Sequence, residues 1–154
     1  MKLLVYFFFN VVLFALSARA QPVPKGATAI EVTTTLAGSV LFESVQAYLE
    51  DAGFDIDEAN EDEGSIVTEY KVISDFGAIK EPVQIRILAH VEEGVVLFKG
   101  ETVASTIGRS SRSNPVINTL GVDGAANGEF SLMNEVITRY AKTLDLATIE
   151  YNVP

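Results

Sequence analysis

The stretch from residue 83 to residue 104 constrains the fold most, because it predicts one long antiparallel hairpin. Residues 83–92 alternate between apolar and polar side chains, and Glu93-Gly94 is followed at once by the apolar run 95–98. A period of two is typical of a strand with one buried face, and a two-residue loop containing Gly favours a tight turn. The sequence therefore predicts two paired strands whose apolar face needs a cover.

This turn also predicts the register of the hairpin. One face pairs Val91 with Val96, Ala89 with Phe98, and Ile87 with Gly100, and the other pairs His90 with Leu97, Leu88 with Lys99, and Arg86 with Glu101. A slip of one residue would mix the apolar and polar faces. We therefore expect the first face to be buried and the second to carry an ion pair.

The rest of the chain predicts two helices. The first begins near Gly38 with an apolar stripe made of Leu41, Val45, Tyr48, Leu49 and Ala52. It should end at Gly53 in a left-handed cap, with Phe54 folded back on the last turn. The second helix has the stripe Phe130, Met133, Val136, Ile137, Tyr140 and Leu144.

Further strands are predicted from alternation with a period of two. Ile30, Val32 and Thr34 belong to a first strand, and a strand begun by Phe54 and Ile56 returns through an acidic turn into a third. That third strand is predicted to place Ile66, Thr68, Tyr70 and Val72 on one face. Residues 147–153 fit either a short closing strand or a loose tail.

Together these patterns predict a two-layer α+β domain in the order β-α-β-β-β-β-α. The sheet is expected to be antiparallel and four- to five-stranded, with both helices on one face. The face away from the helices would then be open. It would carry Arg86, Leu88, His90, Leu97 and Lys99.

The first 20 residues predict a secretory signal peptide. Met1-Lys2 is positive, an apolar run extends from Leu3 to Leu16, and Ala18-Arg19-Ala20 is a small-x-small cleavage site before Gln21. A retained anchor is the alternative, but this run is shorter than the roughly 20 residues that span a bilayer. We expect a signal peptide at 1–20, a linker at 21–28, a single domain at 29–154, and a periplasmic or extracellular location.

Charge and cysteine content exclude several functions. The chain has 11 Lys and Arg against 21 Asp and Glu, a net charge of −10, and no Cys. Cleavage after Ala20 would remove Lys2 and Arg19 and make the charge −12. Nucleic acids and anionic membranes are bound by clustered cations, so neither is an expected partner. The lack of Cys excludes disulfides, a lipid-modified cysteine and a Cys nucleophile.

The acidic residues of segment 55–63 invite a calcium-site interpretation. The segment does not match an EF-hand loop, which needs an oxygen ligand at its fifth position, Gly at its sixth and Glu at its twelfth. Counted from Asp55, these positions hold Ala59, Asn60 and Ile66. A solvated acidic turn is the favoured alternative. We predict no metal site and no cofactor, and leave weak cation binding open.

Two other features have a catalytic and a plain interpretation. His90 is the only His, and no orienting carboxylate is expected beside it except Glu92, so an exposed or interface His is favoured over a catalytic one.

The long loop 105–128 contains Arg109 and Arg112 in a Ser-rich run, which could hold an anion. Flexibility is the favoured interpretation, since no Walker spacing is present. No catalytic residue is predicted.

One segment resembles a known group of proteins. It comprises Phe42, Val45, Tyr48, Leu49, the Gly53-Phe54 cap and Ile56, followed by Gly64-x-Ile66-x-Thr68. The segment resembles the helix-then-hairpin of BamC-like lipoprotein domains and of uncharacterised periplasmic families of Bacteroidota. This resemblance implies a helix-packed antiparallel sheet and a non-enzymatic role in the cell envelope. The chain differs from BamC-like proteins in lacking a lipidation Cys, and no functional residue is carried over.

The expected function is therefore a non-enzymatic exported module for binding or structure. Its partner would be an envelope protein, or a second copy in a homodimer, that contacts the open sheet face. The alternative is a small-ligand carrier or a small enzyme that uses the 105–128 loop.

Overall fold

The computed structural model describes residues 22–73, 83–104, 113–119 and 128–154. Two helices lie in this part of the chain, α1 (Gly38–Asp51) and α2 (Glu129–Thr143). The strands are β1 (Ala29–Thr33), β2 (Ile56–Asn60), β3 (Ser65–Thr68), β4 (Lys71–Ile73), β5 (Val83–Glu92), β6 (Val95–Ala104), β7 (Asn114–Pro115) and β8 (Thr148–Asn152). The predicted α+β class with an antiparallel sheet is confirmed.

The hairpin of β5 and β6 forms the centre of the sheet. All its pairs follow the predicted register, from Val83 opposite Ala104 to Glu92 opposite Val95. The strand order is β2-β3-β5-β6-β1-β8, while β4 pairs with β5 and β7 with β6. Because the tight Glu93-Gly94 turn leaves one register compatible with a buried apolar face, local sequence was enough to predict this pairing.

The sheet contains more strands than the four or five predicted. The eight strands in the described ranges include two short ones that the pattern did not separate, β4 and β7, and also β8, which was one of two alternatives for its segment. Strand β7 is two residues long and lies within the segment predicted as a loop. Strand β8 decides between the two alternatives for residues 147–153, since it pairs with β1 at the end of the sheet.

A β-bulge separates β3 from β4. Val67 lies opposite Leu88 and Lys71 opposite Ile85, so residues 68–70 of one segment face only residues 86–87 of β5. Thr68 is buried, whereas Val72 is 51% exposed. The prediction that Tyr70 and Val72 share a face with Thr68 is therefore wrong, because an extra residue in a strand reverses the alternation.

The hydroxyl of Thr68 compensates for the interrupted ladder at this bulge. It accepts the backbone N–H of Ile87 at 2.9 Å and donates to the carbonyl of Glu69 at 3.1 Å. Thr68 is fully buried, where an unpaired N–H would cost about 1–3 kcal/mol. A side chain thus replaces a backbone acceptor, which strand periodicity does not reveal.

Both helices cover the same face of the sheet, as predicted. Helix α1 ends in a Schellman motif, in which the N–H of Gly53 donates to Glu50 and that of Phe54 donates to Leu49. Gly53 has a φ of +79°, the left-handed conformation that the sequence predicted. The two helices contact each other where the Tyr48 hydroxyl donates to the Val136 carbonyl at 3.0 Å.

The core lies between the helices and the inner sheet face. Ile87, Ala89 and Val91 are buried, as predicted, and so are Val96 and Phe98. The other fully buried large side chains come from both helices and from strands β1, β3 and β5: Ile30, Val32, Leu41, Val45, Leu49, Ile66, Ile85, Met133, Ile137 and Tyr140. The opposite sheet face is left without a helix from the described part of the chain.

The segment predicted as a linker is described from Pro22 onward and contains no helix or strand up to Thr28. Ala27 is nevertheless fully buried. Backbone hydrogen bonds connect this segment to residue 118, with the Gly26 N–H donating to the Asn118 carbonyl at 2.7 Å and the Asn118 N–H donating to Ala27 at 2.9 Å. These contacts hold residues 26 and 27 against the domain.

Several sequence predictions lie outside the described residues. They include the signal peptide 1–20 and both arginines of the proposed loop site, Arg109 and Arg112. The structure describes the 105–128 segment only at residues 113–119 and at Gly128.

Candidate interaction face

We call the sheet surface opposite the helices the outer face. The side chains of Arg86, Leu88, His90, Leu97 and Lys99, all predicted to lie there, alternate with the buried side chains of β5 and β6. His90 and Lys99 are exposed, and the other three are partly buried. The structure therefore brings the five predicted residues together on one surface.

The two leucines of the outer face are diagonal neighbours. Leu88 lies opposite Lys99, and Leu97, two residues before Lys99, lies opposite His90. Diagonal pairs on one sheet face are about 7–8 Å apart, which is within reach of large side chains. On its other side Leu97 faces Glu31 of β1. The outer face is thus a small apolar centre with charged residues around it.

Glu101 is the acceptor of a hydrogen-bonded cluster at one end of the outer face. Its Oε2 accepts from Arg86 Nη2 at 2.6 Å, from Arg86 Nε at 2.9 Å and from the Ser113 hydroxyl at 2.9 Å. The Tyr70 hydroxyl lies 3.4 Å from the same oxygen, and the Arg86 guanidinium lies 4.8 Å from the centre of the Tyr70 ring. The predicted pair of Arg86 and Glu101 is confirmed.

Sequence reasoning missed Tyr70 and Ser113 as members of this cluster. The bulge after Thr68 moves Tyr70 from the expected inner face to the outer face. Ser113 precedes β7, a strand of two residues that is too short to be predicted from a periodic pattern. Both additions depend on tertiary contacts rather than on local propensity.

The cluster changes the pKa of both partners of the ion pair. Burial by itself raises the pKa of Glu101, but hydrogen bonds from Arg86, Ser113 and Tyr70 outweigh it, so the net pKa is lowered from its usual value of 4.5. The hydrogen bond to Glu101 raises the pKa of Arg86. Stability from the ionised Glu101 is therefore present above its unfolded pKa and is lost as the pH falls through the folded pKa.

We expect Glu101→Gln to lower the free energy of unfolding by about 1 kcal/mol at neutral pH, because the pair with Arg86 is only partly exposed. The difference from wild type should shrink as the pH falls from the usual pKa of about 4.5 through the lower folded pKa, since the unfolded state takes up the proton before the folded state does. Urea unfolding at about pH 7 and pH 3 measures both values.

The control for this prediction is Glu43→Gln, which removes an exposed carboxylate on α1. It should change the unfolding free energy little at either pH. A Glu101→Gln difference that is the same at both pH values would contradict the proposed role of the ionised carboxylate.

The acidic segment and His90 are surface features in the structure. Asp57 and Glu58 lie in β2, Glu61–Glu63 form the turn, and all of these carboxylates are exposed. Within the described ranges, no group of three or more His, Asp or Glu side chains is placed to hold a metal ion. His90 faces Ser65 on one side and Leu97 on the other.

An open groove of about 540 Å³ lies on the helix side of the sheet, between the end of α1, α2 and β4. Its walls include Tyr48, Phe54, Ile73, Leu132 and Val136, and charged side chains line it as well. Burial raises the pKa of Tyr48. Sequence reasoning did not identify this groove, because it forms where three elements distant in sequence meet.

Three of the charged side chains of the groove, Lys71, Glu135 and Arg139, contact other groups of the protein. Lys71 Nζ donates to the Ala52 carbonyl at 3.1 Å and lies 4.8 Å from the centre of the Phe54 ring. Arg139 pairs with Glu135 one helical turn away. Lys71 therefore stabilises the C-terminal end of α1, where the carbonyls attract a cation.

No protein-family model matches this chain, and no curated protein matches it significantly. The resemblance to BamC-like domains stays a prediction. No helix within the described ranges is long and apolar enough to cross a membrane.

Proposed function

We propose that this chain is an exported, non-enzymatic binding module that recognises an envelope protein through its outer face. The observation that carries the proposal is the outer face itself, a surface with a diagonal pair of leucines, Leu88 and Leu97, at its centre. Arg86, His90 and Lys99 surround them. An apolar centre with a polar rim is the usual composition of a protein–protein interface.

Export is supported by the sequence of residues 1–20, which carries the order of a cleaved signal peptide. A non-enzymatic role is supported by the residue types available. The chain has no Cys, and its one His lies in the middle of an exposed strand face beside Ser65 and Leu97. A general base also needs an orienting partner, and the two described residues opposite His90, Ser65 and Leu97, carry no carboxylate that could act as one.

The test compares proteins captured from an envelope extract by wild type and by Leu88→Asp plus Leu97→Asp. We expect the double variant to lose the specific partner, since two carboxylates would be buried without partners at the interface centre. The matched control is Val40→Asp plus Leu146→Asp, which adds the same charge at residues that are 59% and 86% exposed. It should capture the same partner as wild type.

Circular dichroism of all three proteins shows whether the outer-face variant remains folded. Identical partners for wild type and a folded outer-face variant would contradict the proposal. Sedimentation velocity at several concentrations separates a homodimer from a complex with another protein. Mass spectrometry of the exported protein tests for a mature chain beginning at Gln21.

The alternative function, a small-ligand carrier or small enzyme using the 105–128 loop, stays a prediction. It depends on Arg109 and Arg112, which lie outside the described residues.

A further inference from the structure

The two strands at the ends of the described sheet, β2 and β8, differ in how their free edges are protected from pairing with another chain. Strand β2 has a register shift between Ile56 and Glu58, so a bulge interrupts its ladder with β3. It also carries two consecutive exposed carboxylates, Asp57 and Glu58. Bulges and charges are the usual devices that prevent another chain from pairing with a sheet edge.

Strand β8, at the other end, is regular. Its five residues pair with β1 without a shift, from Thr148 opposite Thr33 to Asn152 opposite Ala29. It contains no proline, and β1 is its only strand neighbour among the described elements. A regular terminal strand presents backbone donors and acceptors that can bind an additional strand.

The position of β8 is well defined by contacts on the inner side. Ile149 and Tyr151 pack against the core, and the Tyr151 hydroxyl donates to Asn134 Oδ1 of α2 at 2.9 Å. A strand that is already held in place loses little conformational freedom when a partner pairs with it.

The outer side of the same strand carries an unfavourable pair of charges. Glu150 lies directly opposite Glu31 of β1, and like charges in directly opposed positions destabilise a sheet. In the antiparallel register that pairs all five residues, a second copy would place its own Glu150 against this one. Self-pairing would thus add to the repulsion, whereas a cationic side chain at that position would relieve it.

We propose that the β8 edge binds an extended basic segment of the partner protein as an added strand. Backbone hydrogen bonds to β8 provide the contact, and a Lys or Arg side chain on the outer side lies beside Glu150. This inference rests on the proposed function, because the added strand would extend the outer face beyond Glu31 and Glu150. The recognised chemistry is an extended peptide with cations at alternate positions.

The probe is a capped pentapeptide, Lys-Val-Lys-Val-Lys, titrated into the full chain labelled with ¹⁵N. We expect amide shifts and slower hydrogen exchange at β8, with the Lys side chains on the outer side. The peptide Glu-Val-Glu-Val-Glu should not bind. Two further peptides are N-methylated, one at the two valines and one at the three lysines.

Strand addition predicts that the two methylated peptides behave differently. In a strand the N–H groups of successive residues point to opposite edges, so those of the lysines face one edge and those of the valines the other. One methylation pattern therefore removes the donors that face β8 and the other does not. One of these peptides should therefore lose binding while the other retains it. Equal binding by both would show charge attraction without strand pairing, and would overturn the proposal.

Glu150→Lys is expected to weaken binding of the Lys peptide by about tenfold, since an attractive cross-strand pair becomes a repulsive one. The matched control Glu43→Lys makes the same charge change at an exposed position of α1 and should leave the affinity within about twofold. An equal loss in both variants would also overturn the proposal.

The Leu88→Asp plus Leu97→Asp variant separates this inference from the proposed function. Leu97 lies on β6, and β1 separates that strand from β8, so the variant should still bind the Lys peptide. If the peptide fails to bind wild type while the leucine variant loses its protein partner, the β8-edge inference fails and the outer-face proposal stands. If the peptide binds at β8 and both proteins capture the same partners, the outer-face proposal fails instead.

Discussion

Replacing Gly64 by alanine is expected to lower the free energy of unfolding by about 2–5 kcal/mol. Gly64 closes the β2–β3 turn with a φ of +63°, and a Cβ atom there would lie 2.1 Å from the carbonyl oxygen of Val91. The same contact includes a hydrogen bond, in which the Val91 N–H donates to the Gly64 carbonyl at 2.7 Å. Neither backbone can move away without losing this bond, so the turn must separate from β5.

Gly38→Ala is the control for that prediction, with urea unfolding as the measurement. Gly38 also has a positive φ of +57°, but no atom lies within 4 Å of its hypothetical Cβ. Gly38→Ala should therefore lower the free energy of unfolding only by the cost of placing alanine in the left-handed conformation, about 1–2 kcal/mol. Equal losses at Gly64 and Gly38 would contradict the steric part of the argument.

Tyr140→Ala is expected to cost about 3–5 kcal/mol, the range for removing a large buried aromatic side chain. Tyr140 is 1% exposed and lies where α2, α1 and the sheet meet. Its ring centre is 5.0 Å from that of Tyr48 on α1 and 6.0 Å from that of Phe98 on β6. Alanine would leave a cavity between α1, α2 and β6.

The conservative variant Tyr140→Phe separates ring packing from the hydroxyl. It removes only the hydrogen bond from Tyr140 to the Ser44 hydroxyl, which is 3.2 Å long, and should cost about 1 kcal/mol. Urea unfolding monitored by circular dichroism measures both variants. If phenylalanine costs as much as alanine, the hydroxyl rather than the ring connects the two helices.

Predictions from the sequence succeeded where the determining interactions are local. The Glu93-Gly94 turn and the alternation around it predicted every pair of the β5–β6 hairpin, including Arg86 with Glu101. Gly53 and Phe54 predicted the end of α1, because the cap needs only a left-handed glycine and the carbonyls of the preceding turn.

The prediction for the third strand was wrong beyond Thr68. Its alternation is regular through Val72, but Thr68 accepts the N–H of Ile87, and the bulge that follows moves Tyr70 to the other face. The competing interaction lies between segments far apart in sequence, so no period within residues 65–73 could have revealed it. The cluster around Glu101 was incomplete in the prediction for this reason.

The candidate site was predicted in part. The five outer-face residues follow from the alternation of a single hairpin, and the structure places them together. The groove beside Tyr48 and the pairing of Glu31 with Glu150 were not predicted. A groove or a strand neighbour depends on which distant elements meet, and that information is absent from a local pattern.

The sequence by itself determined the class of the fold, the central hairpin and the division of that hairpin into a buried and an open face. These properties arise from side-chain periodicity and turn geometry within a few residues. Only the tertiary structure decided the bulge after Thr68, the strand order and the unequal protection of the two sheet edges. These depend on contacts between distant segments, whose geometry is set when the whole core packs together.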